Sequence, residues 1–347
     1  AEAKCMDPQQ RVLLELAYEA LHGGGIRRQS LVESLTGVFL GQERPDWPKV
    51  RAAQPPGKPS AYIASCDTTS IAAGRISFAL DLRGPCESFD TACSSALTGL
   101  NSGRRAMQEG ECDKALSCSV ALKLHPELTM DLASAGMLSI DGRCKTFDAS
   151  VNGFARSDGV GSIVVLPQDD QCAAAGPVRC SAVQQDGRGA SLTAPNGAAQ
   201  ASLLLFVWAG ALSALSALSH LEAHGTGTPL GDPTEVGSFF RAALRCHQPL
   251  EEPVTMGTVK ANMGHTECTS GHVGLICVLA ASRSTQQGGN AKLRGCNPLV
   301  LECMSEAREL AQMPLQSSLA ASAAIVSGVS AFGYSGTIVH VAVGIAP

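Results

Sequence analysis

The sequence predicts an α/β fold with covered sheets, and three observations carry that prediction. Segments with strand character alternate along the chain with segments of helical periodicity. Hydrophobic residues make up 45% of the 347 residues and charged residues only 16%, which suits a large buried core. Aromatic residues stand at 4% while glycines number 36, so close packing of small residues fills that core.

Taken in order, the first element is an amphipathic helix in MDPQQRVLLELAYEALHGGGI. Asp7 caps it, Pro8 suits its first turn, and Gly23, Gly24 and Gly25 end it. Residues 36–41 (TGVFLG) form a short strand, and residues 43–60, with five prolines and mixed charge, form a surface excursion. Residues 76–82 (ISFALDL) alternate large apolar with small or polar side chains, as a half-buried strand does. After a turn at Gly84 and Pro85, residues 86–90 read as a second extended run. A helical pattern then carries Ala96, Leu97, Leu100 and Met107. Residues 136–150 are turn-rich, and residues 159–166 (GVGSIVVL) are a buried strand. A second set of elements starts near Val178. It includes a strand and loop in residues 253–262, an apolar helix over residues 271–281, and two strands around a glycine-rich turn in residues 327–343. No short-period repeat is visible.

Composition excludes several classes. The net charge of −5, with no long basic run, argues against a nucleic-acid partner. The 14 cysteines show no CxxC pair and no zinc-ribbon spacing, and no N-terminal signal peptide precedes them. They read as reduced thiols in the cytoplasm or another reducing compartment such as a plastid, not in a secreted protein. Residues 201–219 (ASLLLFVWAGALSALSALS) carry no charge and match a membrane span in length. Serines at 213, 216 and 219, Gly210 and the lack of flanking basic residues instead favour a buried helix and strand.

Three separated stretches carry the chemistry: DTACSSAL (residues 90–97), EAHGTGTPLGD (222–232) and GTVKANMGH (257–265). Cys93 falls at a strand-to-helix turn. Free backbone N–H groups and the positive end of the helix dipole favour a thiolate there, and the same groups can stabilise an oxyanion. His220 and His224 with Glu222 between them could suggest a metal pair. The spacing is not HExxH, and the glycines that follow place a strand end here, so no metal is expected. His265, on a loop before a helix, is read as catalytic. His22, His125, His247, His272 and His340 are assigned structural positions.

In these motifs the chain resembles the ketosynthase (β-ketoacyl synthase) domain of modular type I polyketide synthases, relatives of the fatty-acid condensing enzymes. The landmarks are MDPQQRVLLELAYEAL, TGVFLG, LDLRGP, DTACSSAL, GMLSIDGRCKTFDAS, EAHGTGTPLGDPTE, GTVKANMGHTE and SAFGYSGT. The resemblance implies a thiolase-like fold of two similar halves in five α/β/α/β/α layers. Residues 1–170 would carry the nucleophile and residues 171–347 the two histidines. A homodimer is expected, with the strand of residues 80–85 near its seam. The implied reaction is a decarboxylative Claisen condensation in polyketide or fatty-acid chain elongation. Cys93 carries the acyl chain, and His224 and His265 complete the triad with Lys260 beside them. Thr226 and Thr228 line the channel for the pantetheine arm. Tyr334 supplies a second oxyanion N–H, with Phe332 next to it in the substrate site. The partners so implied are an acyl carrier protein, which brings its own phosphopantetheine, and malonyl and acyl thioesters. No cofactor is implied in the domain itself.

The chain departs from the family pattern in five places. A first strand expected before the MDPQQR helix is absent, which suggests a fragment or an open sheet edge within a larger parent protein. Ser157 stands where a glycine is usual and could crowd the site. Ser335 replaces another glycine and Ile338 an asparagine; serine at 335 is strained if that position needs positive φ. Cys268, Thr269 and Ser270 replace small apolar residues. The helix before HGTGT is apolar where the family's is charged. These changes motivate an alternative, a non-elongating ketosynthase that holds or transfers acyl groups or serves as a dimerisation module. A thiolase or chalcone-type enzyme fits Lys260, His265 and HGTGT less well.

Overall fold

The computed structural model describes residues 2–55, 60–168, 175–211, 217–246, 250, 252–284, 286–304, 307–315, 318–319 and 326–344. The chain divides into two compact units. One comprises Ala1–Asp131, Asp158–Cys172 and Glu267–His272; the other comprises Leu132–Ser157, Ala173–Thr266 and Val273–Pro347.

The first unit is built on a four-stranded sheet: β1 (Thr36–Gln42), β2 (Cys86–Phe89), β3 (Lys114–Ala121) and β4 (Gly159–Val165), in the order β2-β1-β3-β4. β2, β1 and β3 run parallel, and β4 is antiparallel to β3. Alternation along β1 and β3 sends side chains to both faces. Val38, Leu40, Leu116, Cys118 and Val120 pack with Leu13, Ala17 and Leu21 of helix α1 (Pro8–Gly23) and with Ala72, Ala73 and Ile76 of helix α2 (Thr69–Leu80). Phe39 and Ala115 pack on the opposite face with Ala106 of helix α3 (Ser95–Gln108). The cap of α1 is as the sequence indicates: the buried Asp7 carboxylate accepts the Gln9 N–H at 2.8 Å, with Pro8 in the first turn.

One expectation is corrected here. Residues 76–82 do not form a strand, nor do residues 80–85: Thr69–Leu80 is helical and ends with Asp81 at φ 55°. The apparent alternation is accidental. Of its large apolar residues Ile76 and Leu82 are buried, but Phe78 is 89% exposed. The buried set Ala72, Ala73 and Ile76 has helical spacing, and the preceding residues of that face lay outside the seven-residue window. Only an isolated bridge joins Leu82 to Ser34.

The first unit also holds a buried polar group. Ser117 and Ser119 of β3 flank the ring of His272, which is fully buried, at 3.0 Å from Nε2 and 2.9 Å from Nδ1. Burial lowers the pKa of His272 from 6.5 to about 4. A histidine depressed in the folded state stabilises the fold above its unfolded pKa, and that stabilisation is lost as pH falls through 6.5 toward 4. The expected outcome is that His272→Gln makes the pH 7 to pH 5 loss of unfolding free energy smaller by about 2 kcal/mol. Denaturant unfolding at the two pH values measures it.

The second unit carries a six-stranded sheet of β5 (Val178–Gln185), β6 (Leu218–Glu222), β7 (Val254–Gly257), β8 (Ala311–Gln312), β9 (Val326–Phe332) and β10 (Thr337–Gly344). Their order is β5-β10-β9-β6-β7-β8, with β10 antiparallel to both neighbours and the rest parallel. Helix α4 (Gly197–Gly210) starts at Asn196, whose Oδ1 accepts the Ala198 and Ala199 N–H groups. Its Leu203, Leu204, Val207 and Trp208 pack with Val236, Phe239 and Phe240 of helix α5 (Gly231–Arg245), and Trp208 meets Phe239 edge-on at 5.9 Å. The uncharged run over residues 201–219 thus contains the end of α4 and the start of β6, with residues 212–216 outside the described residues. Among the described residues no helix is long and apolar enough to cross a membrane.

Candidate active site

Cys93 follows β2 through a tight turn into α3, as the sequence predicts. The turn places Ala92 at φ 53°, a left-handed conformation rare for residues other than glycine. A dense set of short bonds holds it. Thr91 N–H donates to Ser95 Oγ at 2.9 Å, Ser95 Oγ donates to the Ala92 carbonyl at 2.6 Å, and Ser94 Oγ donates to the Thr91 carbonyl at 2.8 Å. The Cys93 carbonyl accepts Ser270 Oγ at 3.3 Å. The start of α3 presses on β1, where a Cβ at Gly41 would lie 2.7 Å from the Ala96 nitrogen, so only glycine fits there. Cys93 is partly exposed at the head of the helix. The fully buried Cys118 is unsuited to attack, since burial raises its thiol to about 12.

In the second unit His224 leaves the end of β6, and two carboxylates from the first turns of α5 hold its loop. Glu235 Oε1 accepts the His224 N–H at 2.7 Å and Oε2 the Gly225 N–H at 2.8 Å. Asp232 accepts the Gly227 N–H at 3.0 Å and the Phe147 N–H at 2.8 Å. Burial raises Glu235 to about 7 and Asp232 to about 6. Gly227 needs its glycine: φ is 76° and a Cβ would lie 2.9 Å from the Lys145 nitrogen. Sequence reasoning missed Glu235 and Asp232; the available signal was two acids in GDPTE immediately after the HGTGT loop.

The His224 ring stands edge-on to His265, centroids 5.6 Å apart, and 5.6 Å from Phe332. Its Nδ1 is buried with no hydrogen-bond partner among the described residues. Burial and the positive charge of Lys260 hold its pKa well below the usual histidine value, so the ring is neutral at pH 7. Lys260, 2% exposed, opens a four-residue helix, α6 (Lys260–Met263). After Gly264, at φ 89°, His265 N–H donates to the Ala155 carbonyl at 2.7 Å. The buried His265 ring meets Phe154 edge-on at 5.2 Å. The structure therefore brings His224, His265, Lys260 and Phe332 together, with Phe154 as an unforeseen neighbour. Thr226 and Thr228 follow on the same loop, their hydroxyls 3.3 Å apart. Tyr334 is 54% exposed in the β9–β10 turn.

The departures from pattern are accommodated. Position 335 lies outside the left-handed region, because the positive φ of that turn, 90°, falls on Gly336; the strain suspected for Ser335 does not arise. Ile338 is fully buried and packs with Phe332 in the core. Ser157 faces Gly264, where a Cβ would stand 3.1 Å from its own, and its N–H donates to the His265 carbonyl at 2.9 Å. Cys268 donates to the Val120 carbonyl and Thr269 to the Gly159 carbonyl, so the polar replacements near 270 have acceptors.

Comparison with known proteins shows the family and the fold. Residues 1–171 match the family described as Beta-ketoacyl synthase, N-terminal domain, and residues 175–287 match Beta-ketoacyl synthase, C-terminal domain. The chain is 36% identical over its whole length to one component of the phenolphthiocerol/phthiocerol polyketide synthase of Mycobacterium tuberculosis, of which it covers 16%. It is 38% identical over 98% of its length to another component of that synthase from the same organism, covering 22% of that protein. The ketosynthase from module 6 of the bacillaene synthase of Bacillus subtilis 168 superposes with a TM-score of 0.89 at 30% identity, covering 100% of this chain and 61% of that one. The chain thus spans less than a quarter of these curated relatives.

Proposed function

The chain belongs to the β-ketoacyl synthase family, and from that premise we propose that it forms carbon–carbon bonds by decarboxylative condensation of carrier-bound thioesters. The observation that carries this reading is a neutral His224 beside Lys260 and edge-on to His265, in a chain whose residues 1–171, Cys93 among them, match the family's N-terminal domain. In the first step the Cys93 thiolate attacks an acyl thioester. A new acyl–sulfur bond forms, and the carrier leaves as its thiol with one proton taken up. In the second step a malonyl thioester loses carbon dioxide, and the electrons of the broken bond pass into an enolate. The enolate carbon attacks the acyl group on Cys93, and the thiolate departs. Neutral histidines donating N–H bonds to the thioester oxygen stabilise the enolate, while a backbone N–H at the head of α3 and that of Tyr334 meet the oxyanion. Burial holds His224 neutral, and the charge of Lys260 adds to it.

Phosphopantetheine enters as part of the substrate, on an acyl carrier protein, along a path that includes Thr226 and Thr228. A homodimer is proposed through the exposed edge of β2 and the neighbouring face of α2, where Phe78 is 89% exposed. Sedimentation as a monomer at micromolar concentration would count against it. Among the described residues no cysteine is in a disulfide, which favours a reducing compartment. Elongation is tested with acyl thioester and malonyl carrier protein. One carbon dioxide per β-ketoacyl product supports it, and acyl transfer without any β-ketoacyl product would leave only the non-elongating reading.

A further inference from the structure

We infer that Glu222 is a positioning residue for the condensation: its buried carboxylate ties the strand delivering His224 to the turn delivering Lys260 and His265. The inference rests on the function proposed above and adds a residue to its machinery.

Glu222 is the last residue of β6, two before His224, and pairs in register with Gly257 of β7. Its side chain is 4% exposed. Oε1 accepts two hydrogen bonds, from Thr258 Oγ1 at 3.1 Å and from the Val259 N–H at 2.8 Å. Thr258 Oγ1 in turn accepts the Lys260 N–H at 3.3 Å, and Asn290 Oδ1 accepts the Thr258 N–H at 3.0 Å. Three successive backbone N–H groups entering α6 are therefore each met by a side-chain oxygen, and Glu222 supplies the one that crosses from the His224 strand. Helix α7 (Ser270–Ser284) leaves room for it at Gly274, where a Cβ would lie 2.9 Å from Glu222 Cγ.

A buried carboxylate is costly unless its oxygens are bonded. Pinning a strand end needs no charge, because the Ala223 N–H to Gly257 carbonyl bond at 2.8 Å already closes that pair. What Glu222 adds is the placement of the next three residues, the last of which is Lys260. Misplacing catalytic groups by about 1 Å costs on the order of 10²-fold in rate. Acyl loading of Cys93 draws on the turn before α3, which Glu222 does not touch. Loading and condensation should therefore separate.

The test uses Glu222→Ala, Glu222→Gln and Thr258→Val, with three readouts: acyl loading by intact mass, β-ketoacyl formation, and amide exchange of residues 257–264. In Glu222→Ala, loading stays within about threefold while condensation falls about 10²-fold, and exchange at Val259 and Lys260 accelerates. Glu222→Gln, whose amide oxygen can accept the same two bonds, recovers condensation to within about fivefold, and Thr258→Val loses about tenfold with loading retained. The inference is overturned if folded Glu222→Ala condenses within about threefold of the unaltered chain, if loading and condensation fall together, or if the glutamine variant is as impaired as alanine. Should Glu222→Ala not fold, Thr258→Val and Glu222→Gln decide by the same criteria. If the unaltered chain forms no β-ketoacyl product, the proposed function fails by itself. Exchange then judges the inference alone: unchanged protection at Val259 and Lys260 in Glu222→Ala overturns it, and accelerated exchange there supports it.

Discussion

Cys93→Ala is expected to abolish the acyl adduct and to lower condensation by at least about 10⁴-fold, because the proposed mechanism passes through an acyl group on that sulfur. The turn that holds residue 93 is built from Thr91, Ser94, Ser95 and the Cys93 carbonyl, none of which needs the thiol. The variant should therefore fold normally. Competing adducts are not expected from Cys118 or Cys268, since burial keeps both in the thiol form at neutral pH. Intact-protein mass after incubation with a short acyl thioester checks the result. An adduct of equal yield in the variant would remove Cys93 from the mechanism.

The second large effect is expected at the histidines. His265→Ala and His224→Ala should each lower condensation by about 10²–10³-fold, the scale of losing one donor to a developing oxyanion. Their losses should not multiply in the double variant, because the two rings serve one enolate. Condensation should also show a defined pH dependence. His224 is depressed well below 6.5 by burial and by Lys260, so it stays neutral as pH falls from 7.5 to 6. Protonation of His224 should therefore cause no loss of condensation over that range, and a Lys260→Met variant should keep His224 neutral there, because burial, the larger cause, remains. Steady-state rates across that range measure it, and a break near pH 6.5 that persists in both Glu235→Gln and Asp232→Asn would contradict a neutral His224.

Much of this was legible in the sequence, for identifiable reasons. The first helix announced itself through Asp7, Pro8 and three terminal glycines, and the turn at Cys93 through an extended run followed by helical spacing. The hairpin of β9 and β10 was visible as alternating apolar residues around a glycine turn. The uncharged run over residues 201–219 read correctly as helix and then strand, because Gly210 and the serines broke its membrane character. The segment 76–82 misled because seven residues of alternation can arise within a helix whose buried face is set by Ala72, Ala73 and Ile76. Ser335 looked strained because the glycine count of its turn was legible while the residue bearing the positive φ, Gly336, was not. Glu222, Asp232 and Glu235 escaped for a common reason. Each acts by accepting backbone N–H groups, and backbone donors leave no residue pattern in a sequence. Phe154, edge-on to His265, likewise comes from a distant segment whose approach only tertiary structure reveals.

The most direct test of the central claim is a two-step mass measurement on the unaltered chain. It is first loaded with a short acyl thioester and then mixed with malonyl carrier protein. The account predicts a single acyl adduct on Cys93 that disappears on the second addition, with the carrier gaining the β-ketoacyl group and releasing one carbon dioxide. An adduct that forms on Cys93 and persists, with the malonyl carrier unchanged, would contradict it.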